Sequence, residues 1–97
     1  MSFVFMVFHW PEPDHREALA RSMAEMRDGL LGMPGCVDVA PPLVAEDGEC
    51  LVGISTWDAE DAFRAAITLR AADEVVEGET RPRQRFILHE VPPAPAC

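Results

Sequence analysis

The chain has 97 residues, of which 48% are hydrophobic, so it has the length of one domain and enough apolar material for a core. It carries 17 acidic residues against 8 basic ones, and the net charge is -9. All the basic residues are arginine. Because nucleic acids and anionic membrane surfaces are themselves negatively charged, this composition argues against both as partners.

The cysteines and the apolar start of the chain exclude further classes. Cys36, Cys50 and Cys97 are odd in number and match no metal-ligand spacing. The apolar run 3–8 is too short for a signal peptide or a membrane span. We therefore predict a cytoplasmic protein with reduced thiols and no metal site.

The first half of the chain reads as strand, helix and strand. Residues 2–10 are apolar on both alternating faces, which is typical of a strand covered on both sides. After two prolines, Asp14 is the expected N-cap of a helix that ends at Leu31, with Glu17 as its capping-box partner. The helix has an apolar stripe, made of Leu19, Met23, Met26, Leu30 and Met33. A short second strand follows at 36–39.

The second half repeats the order strand, helix, strand. A turn at 46–49 predicts a hairpin into a third strand at 50–57, again apolar on both faces. Asp58 is the expected cap of a second helix, whose buried side is predicted to be Ala62, Phe63, Ala66, Ile67 and Leu69. A further helical piece is expected at 71–76 and a fourth strand at 84–91. Residues 92–97 form a proline-rich tail that cannot pair.

The order β-α-β-β-α-β predicts an α+β fold of the ferredoxin-like, split βαβ type, built by residues 1–91 as a single domain. Its antiparallel four-stranded sheet would carry both helices on one face. The first and third strands would be central, and their second apolar face would be bare in a monomer. We therefore expect a homodimer that packs sheet face against sheet face, with a barrel-like centre.

Two segments resemble a known family. The first helix ends in Leu-Gly-Met-Pro-Gly-Cys at 31–36, and Ser-Thr-Trp-Asp-Ala-Glu-Asp-Ala-Phe stands at 55–63. Together with the acidic turn, these segments resemble the antibiotic biosynthesis monooxygenase-like family of dimeric α/β barrels, over residues 3–91. The resemblance implies a small oxygenase that uses no metal or flavin and oxidises quinol-like or polyketide aromatics with molecular oxygen. It also implies a pocket between the helices and the sheet.

A subset of that family degrades haem, and this sequence departs from its pattern. Those members have an asparagine at the end of the first strand, where this chain has Phe8, His9 and Trp10. They have a tryptophan and a histidine at the positions of Ala66 and Val76. Haem degradation is therefore the less favoured activity, and we expect no cofactor.

His9 is the candidate catalytic residue. It ends the first strand, where a histidine of near-neutral pKa could take the proton of a phenol or quinol and produce the electron-rich anion that oxygen needs. The alternative is a structural histidine that is partly buried and bonded to the backbone.

Five further residues are candidates for substrate binding: Trp57, Phe63, Trp10, Met23 and Met26. Trp57 could stack on a planar substrate or anchor the core or the dimer interface. Phe63 is expected in the core and could form the pocket floor. The two methionines suit an adaptable apolar pocket, although ordinary core packing also explains them.

Three arginines with a spacing of two, Arg81, Arg83 and Arg85, could bind an anionic ligand group. The alternative is ion pairing with the acidic residues just upstream, among 73–79.

Two hypotheses for the whole chain follow. The first is a cofactor-independent monooxygenase of an aromatic or quinol-like molecule. The second is a non-catalytic dimeric barrel that binds a small apolar ligand or is purely structural.

Overall fold

A computed structural model describes residues 2–91 of the chain, which form five strands and two helices. In chain order they are β1 (Phe3–His9), α1 (Arg16–Leu31), β2 (Cys36–Val39), β3 (Leu43–Val44), β4 (Leu51–Trp57), α2 (Glu60–Ala66) and β5 (Gln84–His89). The predicted tail at 92–97 lies outside the described residues.

The strands form one antiparallel sheet in the order β2-β4-β1-β5, and β3 pairs with the beginning of β4. Strand β1 pairs with β4 along its whole length, from Phe3 opposite Trp57 to His9 opposite Leu51, and with β5 on its other edge. The predicted α+β, ferredoxin-like order is confirmed. The two strands that are apolar on both faces are the central ones, as predicted.

The predicted second strand is present as β2 at 36–39, and a further short strand, β3, which was not predicted, follows it after Pro41 and Pro42. Proline cannot donate a backbone hydrogen bond, and the ladder with β4 is interrupted between β2 and β3. The predicted hairpin is present. The N–H of Ala45 donates to the carbonyl of Cys50 at 2.8 Å, and Gly48 takes a φ of 77° in the turn between them.

The core lies at one end of the sheet, on the face that carries both helices. Phe3 and Trp57 from the central strands and Phe63 from α2 are the largest fully buried side chains. The ring centroids of Phe3 and Phe63 are 5.0 Å apart. The indole N–H of Trp57 donates to Ser55 Oγ at 2.9 Å, so its polar atom is satisfied. Burying each ring contributes about 1.5–3 kcal/mol, which fixes α2 on the sheet.

Both helix starts differ from the prediction. Helix α1 begins at Arg16 with His15 as its N-cap, because Asp14 takes part in a preceding turn in which the N–H of His15 donates to the carbonyl of Glu12. Helix α2 begins after Ala59 in place of Asp58, and neither helix has a side-chain cap. The predicted caps at Asp14 and Asp58 were wrong.

The end of α2 also differs. The helix ends at Ala66, because Ile67 adopts an extended conformation. Residues 71–76, predicted to be helical, form turns and irregular structure, and β5 ends at His89, two residues earlier than predicted. No helix within residues 2–91 has the length and apolar character needed to cross a membrane.

The face of the sheet opposite the helices is apolar. By alternation it carries every second side chain of the central strands and of β5, and its members include Val4, Met6, Phe8, Val52, Ile54, Phe86 and Leu88. Phe86 and Leu88 remain 39% and 44% exposed. We call this surface the outer face. One copy of the chain leaves it uncovered.

Gly35 lies in the turn before β2 with a φ of 81°, and a Cβ there would lie 2.8 Å from Asp58 Oδ1 and against the side chain of Ala62. Gly35→Ala should therefore lower the free energy of unfolding by about 1–3 kcal/mol. Gly29→Ala is the matched control, since Gly29 lies inside α1 with open space around it. It should raise stability by about 0.5–1 kcal/mol. Urea titration checks both signs, and equal effects of the two variants would contradict this account.

Candidate functional site

A cavity of about 390 Å³ lies between α1 and the helix-facing side of the sheet, beside the aromatic core. Strands β1, β2 and β4 form its floor, and α1 and residues 67–76 form its sides. Gly53 helps to keep it open, because a Cβ there would lie 3.3 Å from Val7 Cγ1 and 3.5 Å from Met23 Cε. The early end of α2 lets the extended chain after Ala66 run along one side.

The walls are mostly apolar, and their apolar members include Phe5, Val7, Leu19, Met23, Leu30 and Val39. The cavity also explains why the stripe of α1 is unevenly buried. Leu19 and Leu30 are buried, whereas Met26 is 62% exposed although it borders the cavity. The helix covers open space there, so the methionine has nothing to pack against from below.

His9 lines this cavity at the end of β1 and is only 5% exposed. Its Nδ1 lies 3.7 Å from Glu79 Oε1 and has no hydrogen-bond partner among the described residues. Burial is the main reason that the pKa of His9 is lowered from 6.5 to about 4, and the positive charge of Arg83 lowers it further. Together these two effects outweigh Glu79, which raises the pKa. The imidazole is therefore neutral at pH 7, and the near-neutral pKa expected for His9 from the sequence is wrong.

Behind His9 lies a buried carboxylate. The side chain of Glu79 is fully buried and is bound by the guanidinium of Arg83, with Nε 3.1 Å from both oxygens and Nη2 2.7 Å from Oε2. This charge-assisted pair compensates the cost of burying Glu79. His9, Glu79 and Arg83 thus form one group at the end of the cavity, which we call the His9 cluster.

The backbone brings Glu79 to His9 although 70 positions separate them in the sequence. The N–H of Glu12 donates to the carbonyl of Gly78, and the N–H of Thr80 donates to the carbonyl of Trp10, both at 2.8 Å. Sequence reasoning missed Glu79. Glu79 follows Gly78 in a turn and precedes Arg83 by four residues, which is the spacing of an ion pair. The sequence pattern does not indicate, however, that the side chain of Glu79 is buried.

The predicted site residues divide into two groups. His9, Met23 and Met26 line the cavity. Trp57 and Phe63 lie outside its lining, fully buried in the aromatic core. Trp10 also lies outside the lining, at the end of β1, where its ring lies beside Phe8 and 4.0 Å from the guanidinium of Arg81.

The three arginines with a spacing of two have three different partners. Arg83 binds Glu79, Arg81 stacks on Trp10, and Arg85 donates through Nη1 to the carbonyl of Arg70. The expected pairing with upstream acidic residues therefore applies to Arg83 alone. Within residues 2–91, no three histidine, cysteine or acidic side chains are grouped so that they could hold a metal ion.

The lowered pKa of His9 makes stability depend on pH. Between pH 6.5 and about 4 the unfolded chain binds a proton at His9 that the folded chain does not. Stability should therefore fall as the pH is lowered through this window, by about 3 kcal/mol at its lower end. Urea unfolding at pH 7, 5.5 and 4.5 measures this. His9→Gln should flatten the pH dependence by that amount, whereas His89→Gln, at an exposed site, should not. Parallel profiles for wild type and His9→Gln would contradict a buried neutral His9.

Comparison with known proteins places the chain in a family. Its structure is similar to that of Rv0793 from Mycobacterium tuberculosis, with a TM-score of 0.77, 21% identity and coverage of 98% of this chain and 100% of that one. It is also similar to PA3566 from Pseudomonas aeruginosa, with a TM-score of 0.74, 15% identity and coverage of 94% and 95%. A third similar structure is the heme-degrading protein Rv3592 from Mycobacterium tuberculosis, with a TM-score of 0.66, 14% identity and coverage of 98% and 100%.

At these identities the structures establish the fold alone. No curated protein matches the sequence. The sequence profile of the antibiotic biosynthesis monooxygenase family matches residues 1–78. The family resemblance of the 31–36 and 55–63 segments is thereby confirmed, and the chain belongs to the antibiotic biosynthesis monooxygenase family.

Proposed function

We propose that the chain is a cofactor-independent monooxygenase that oxidises an aromatic or quinol-like small molecule in the cavity beneath α1. The observation that carries the proposal is the His9 cluster: a neutral imidazole in the cavity wall with a buried carboxylate behind it. A ligand that fills an apolar cavity of this size buries most of its surface, as small-molecule sites usually require.

His9 acts as the base. The Glu79 carboxylate near Nδ1 favours the tautomer that has its proton on this nitrogen, which leaves the lone pair on Nε2 for the hydroxyl of the substrate. The carboxylate also stabilises the imidazolium formed by the transfer, and Arg83 holds it in position. Because the pKa of His9 is about 4, the imidazolium returns its proton readily once an oxygen-derived anion has formed.

The substrate anion is the reductant. An anthrone-like molecule reacts from its enol form, in which one hydrogen of the CH₂ group has moved to the carbonyl oxygen, and His9 takes this hydroxyl proton. The resulting anion donates electrons to molecular oxygen and a carbon–oxygen bond forms, which gives a peroxide anion that takes the proton back from His9. The O–O bond then breaks and the carbon loses its remaining hydrogen. One oxygen atom stays as a carbonyl group and the other leaves as water. The CH₂ group loses four electrons, which O₂ accepts, so no further reductant is needed.

The other predicted substrate residues act at different distances. Met23 and Met26 contact the ligand from α1. Trp57 and Phe63 act indirectly, since the ring of Phe63 lies 4.8 Å from that of Phe5, which is part of the cavity wall. Their packing keeps Phe5 in place. Trp10 lies near the outer face, where a contribution to the subunit interface suits it better than ligand contact.

We infer that two copies of the chain pack through their outer faces. The face is apolar on the central strands and on β5, and Phe86 and Leu88 remain exposed on it. Soluble proteins rarely leave a large continuous apolar patch uncovered. A second copy would cover it with an identical surface and produce the barrel-like dimer expected from the sequence.

Light scattering at micromolar concentration tests the dimer. The wild-type protein should have about twice the chain mass of 10.7 kDa. Leu88→Asp places a charge on the outer face and should shift the protein towards the monomer. Val75→Asp is the control, because Val75 is 52% exposed and belongs to no strand. A monomeric wild type, or equal dissociation of both variants, would exclude this interface.

Oxygen uptake tests the activity, with a panel of hydroquinones and anthrones as substrates. His9→Gln should lower kcat/KM about 100-fold or more, since a positioned base contributes on the order of 10²–10⁴. His89→Gln should retain the wild-type rate. In the wild type the acidic limb of the kcat/KM profile should lie near pH 4, because His9 takes up its proton there.

Two results would contradict the activity: no uptake by the wild type with any member of the panel, or equal rates for wild type and His9→Gln. The alternative, a barrel that binds an apolar molecule without transforming it, would then be preferred. Native mass spectrometry would distinguish a retained aromatic ligand from an empty, purely structural domain.

A further inference from the structure

Positive charge is concentrated around the cavity of a strongly acidic chain. Four of the eight arginines line it: Arg27, Arg70, Arg83 and Arg85. Of the 17 acidic residues, Glu74 alone belongs to the lining, and Glu79 lies behind it. Since the acidic residues outnumber the arginines in the chain, this reversal distinguishes the cavity from the rest of the surface.

Two of these arginines are already compensated. Arg70 pairs with Glu74, and Arg83 pairs with Glu79. Arg27 and Arg85 form no ion pair within residues 2–91. His9 is neutral at pH 7, so it does not change this balance. Two positive charges therefore remain beside a mostly apolar cavity.

Both free guanidinium groups are held by the backbone. Arg27 donates through Nε to the carbonyl of Val39 at 2.7 Å, and Arg85 donates through Nη1 to the carbonyl of Arg70. Both residues are half-buried. A guanidinium has five N–H donors in a fixed plane, and the carbonyl takes only one of them. The remaining donors are oriented in advance, which lowers the entropic cost of binding an anion.

The register places Arg85 nearer to His9. Arg85 lies opposite Val7, so its side chain points to the same face as His9, two residues along β1. Such diagonal neighbours have Cα atoms about 7–8 Å apart. Arg27 bonds to β2, on the opposite side of β4 and β1 from β5. Three strand spacings of about 4.8 Å separate those strands, so one small anionic group does not reach both arginines.

We propose that the ligand of the cavity is an aromatic carboxylate, bound by Arg85 through its carboxylate, with Arg27 adding positive potential at the opposite side. The apolar walls take the ring, and the fork of donors on Arg85 suits the two oxygens of a carboxylate. Arg85 and His9 line the same cavity from the same face of the sheet, so a ring bound by Arg85 shares the cavity with the proposed base. The proposal deepens the proposed function, because it uses the same cavity and names the substrate class as hydroxylated aromatic acids.

Calorimetric titration of the full chain with 2-naphthoate and with the neutral amide of the same shape, 2-naphthamide, tests the ligand class. The carboxylate should bind at least about tenfold more tightly, a difference of about 1.4 kcal/mol. Its affinity should fall as salt is raised from 50 to 500 mM, whereas that of the amide should not. Equal affinities, or no saturable binding of the carboxylate, would overturn the proposal.

Variants locate the contact. Arg85→Gln should weaken naphthoate binding about tenfold and leave amide binding unchanged, and Arg85→Lys should have a smaller effect because it keeps the charge. Arg64→Gln removes the same charge from an exposed pair with Glu60, outside the cavity lining, and should have no effect. An equal loss in Arg64→Gln, or no loss in Arg85→Gln, would exclude Arg85 as the binding residue. Circular dichroism confirms that each variant folds, and if Arg85→Gln does not, Arg85→Lys and the amide comparison still decide.

These titrations involve no turnover, so their outcome is separate from that of the oxygen-uptake assay. Selective binding of naphthoate together with no uptake from the hydroquinones and anthrones or from hydroxylated aromatic acids would leave this inference standing and exclude the monooxygenase. Oxygen uptake from neutral quinols, together with equal binding of the carboxylate and the amide, would support the monooxygenase and exclude the aromatic carboxylate as its ligand.

Discussion

The rest of the structure depends on the position of β1, which is hydrogen-bonded along both edges and carries apolar side chains on both faces. Because alternate residues of a strand point to opposite sides, its sequence serves two surfaces at once. The row Phe3, Phe5, Val7 and His9 faces the helices and runs from the aromatic core to the His9 cluster. The other row belongs to the outer face. A shift of β1 by one residue would exchange these two roles completely.

Core and cavity divide the helix-facing side of the sheet between them. At one end, Trp57 and Phe63 fill the space completely. At the other end, Gly53 provides no side chain and α2 has already ended, so the space below α1 stays open. The largest buried side chains thus lie at one end of the sheet, and the cavity lies towards the other end. This arrangement allows His9 to be buried among apolar groups and still line a cavity.

The order of strands and helices could be predicted from the sequence, because apolar alternation in β1 and β4, proline breaks and turn glycines are local signals. The burial of Trp57 and Phe63 in an aromatic core was open to the same reasoning. The helix starts could not be predicted, because an aspartate at Asp14 or Asp58 fits both a cap and a turn. Residues 71–76 were predicted to be helical because their composition suits a helix. Their irregular conformation depends on contacts with residues that are distant in the sequence, which a local pattern does not show. Glu79 was missed for the same reason, since its burial depends on the backbone of residues 10–12.

The hydrogen bonds that join residues 78–80 to residues 10–12 have a consequence for the order of folding. They connect the beginning of the chain to a segment near its end, and closing so long a loop costs more conformational entropy than forming a local contact. The hairpin of β3 and β4 and the helix α1 involve only local contacts and can form before them. The cavity with its His9 cluster therefore exists only where these distant segments have come together, and chains in which they have not done so offer a ligand no complete binding site. A ligand of this cavity would bind the native state alone and would stabilise the chain as a whole.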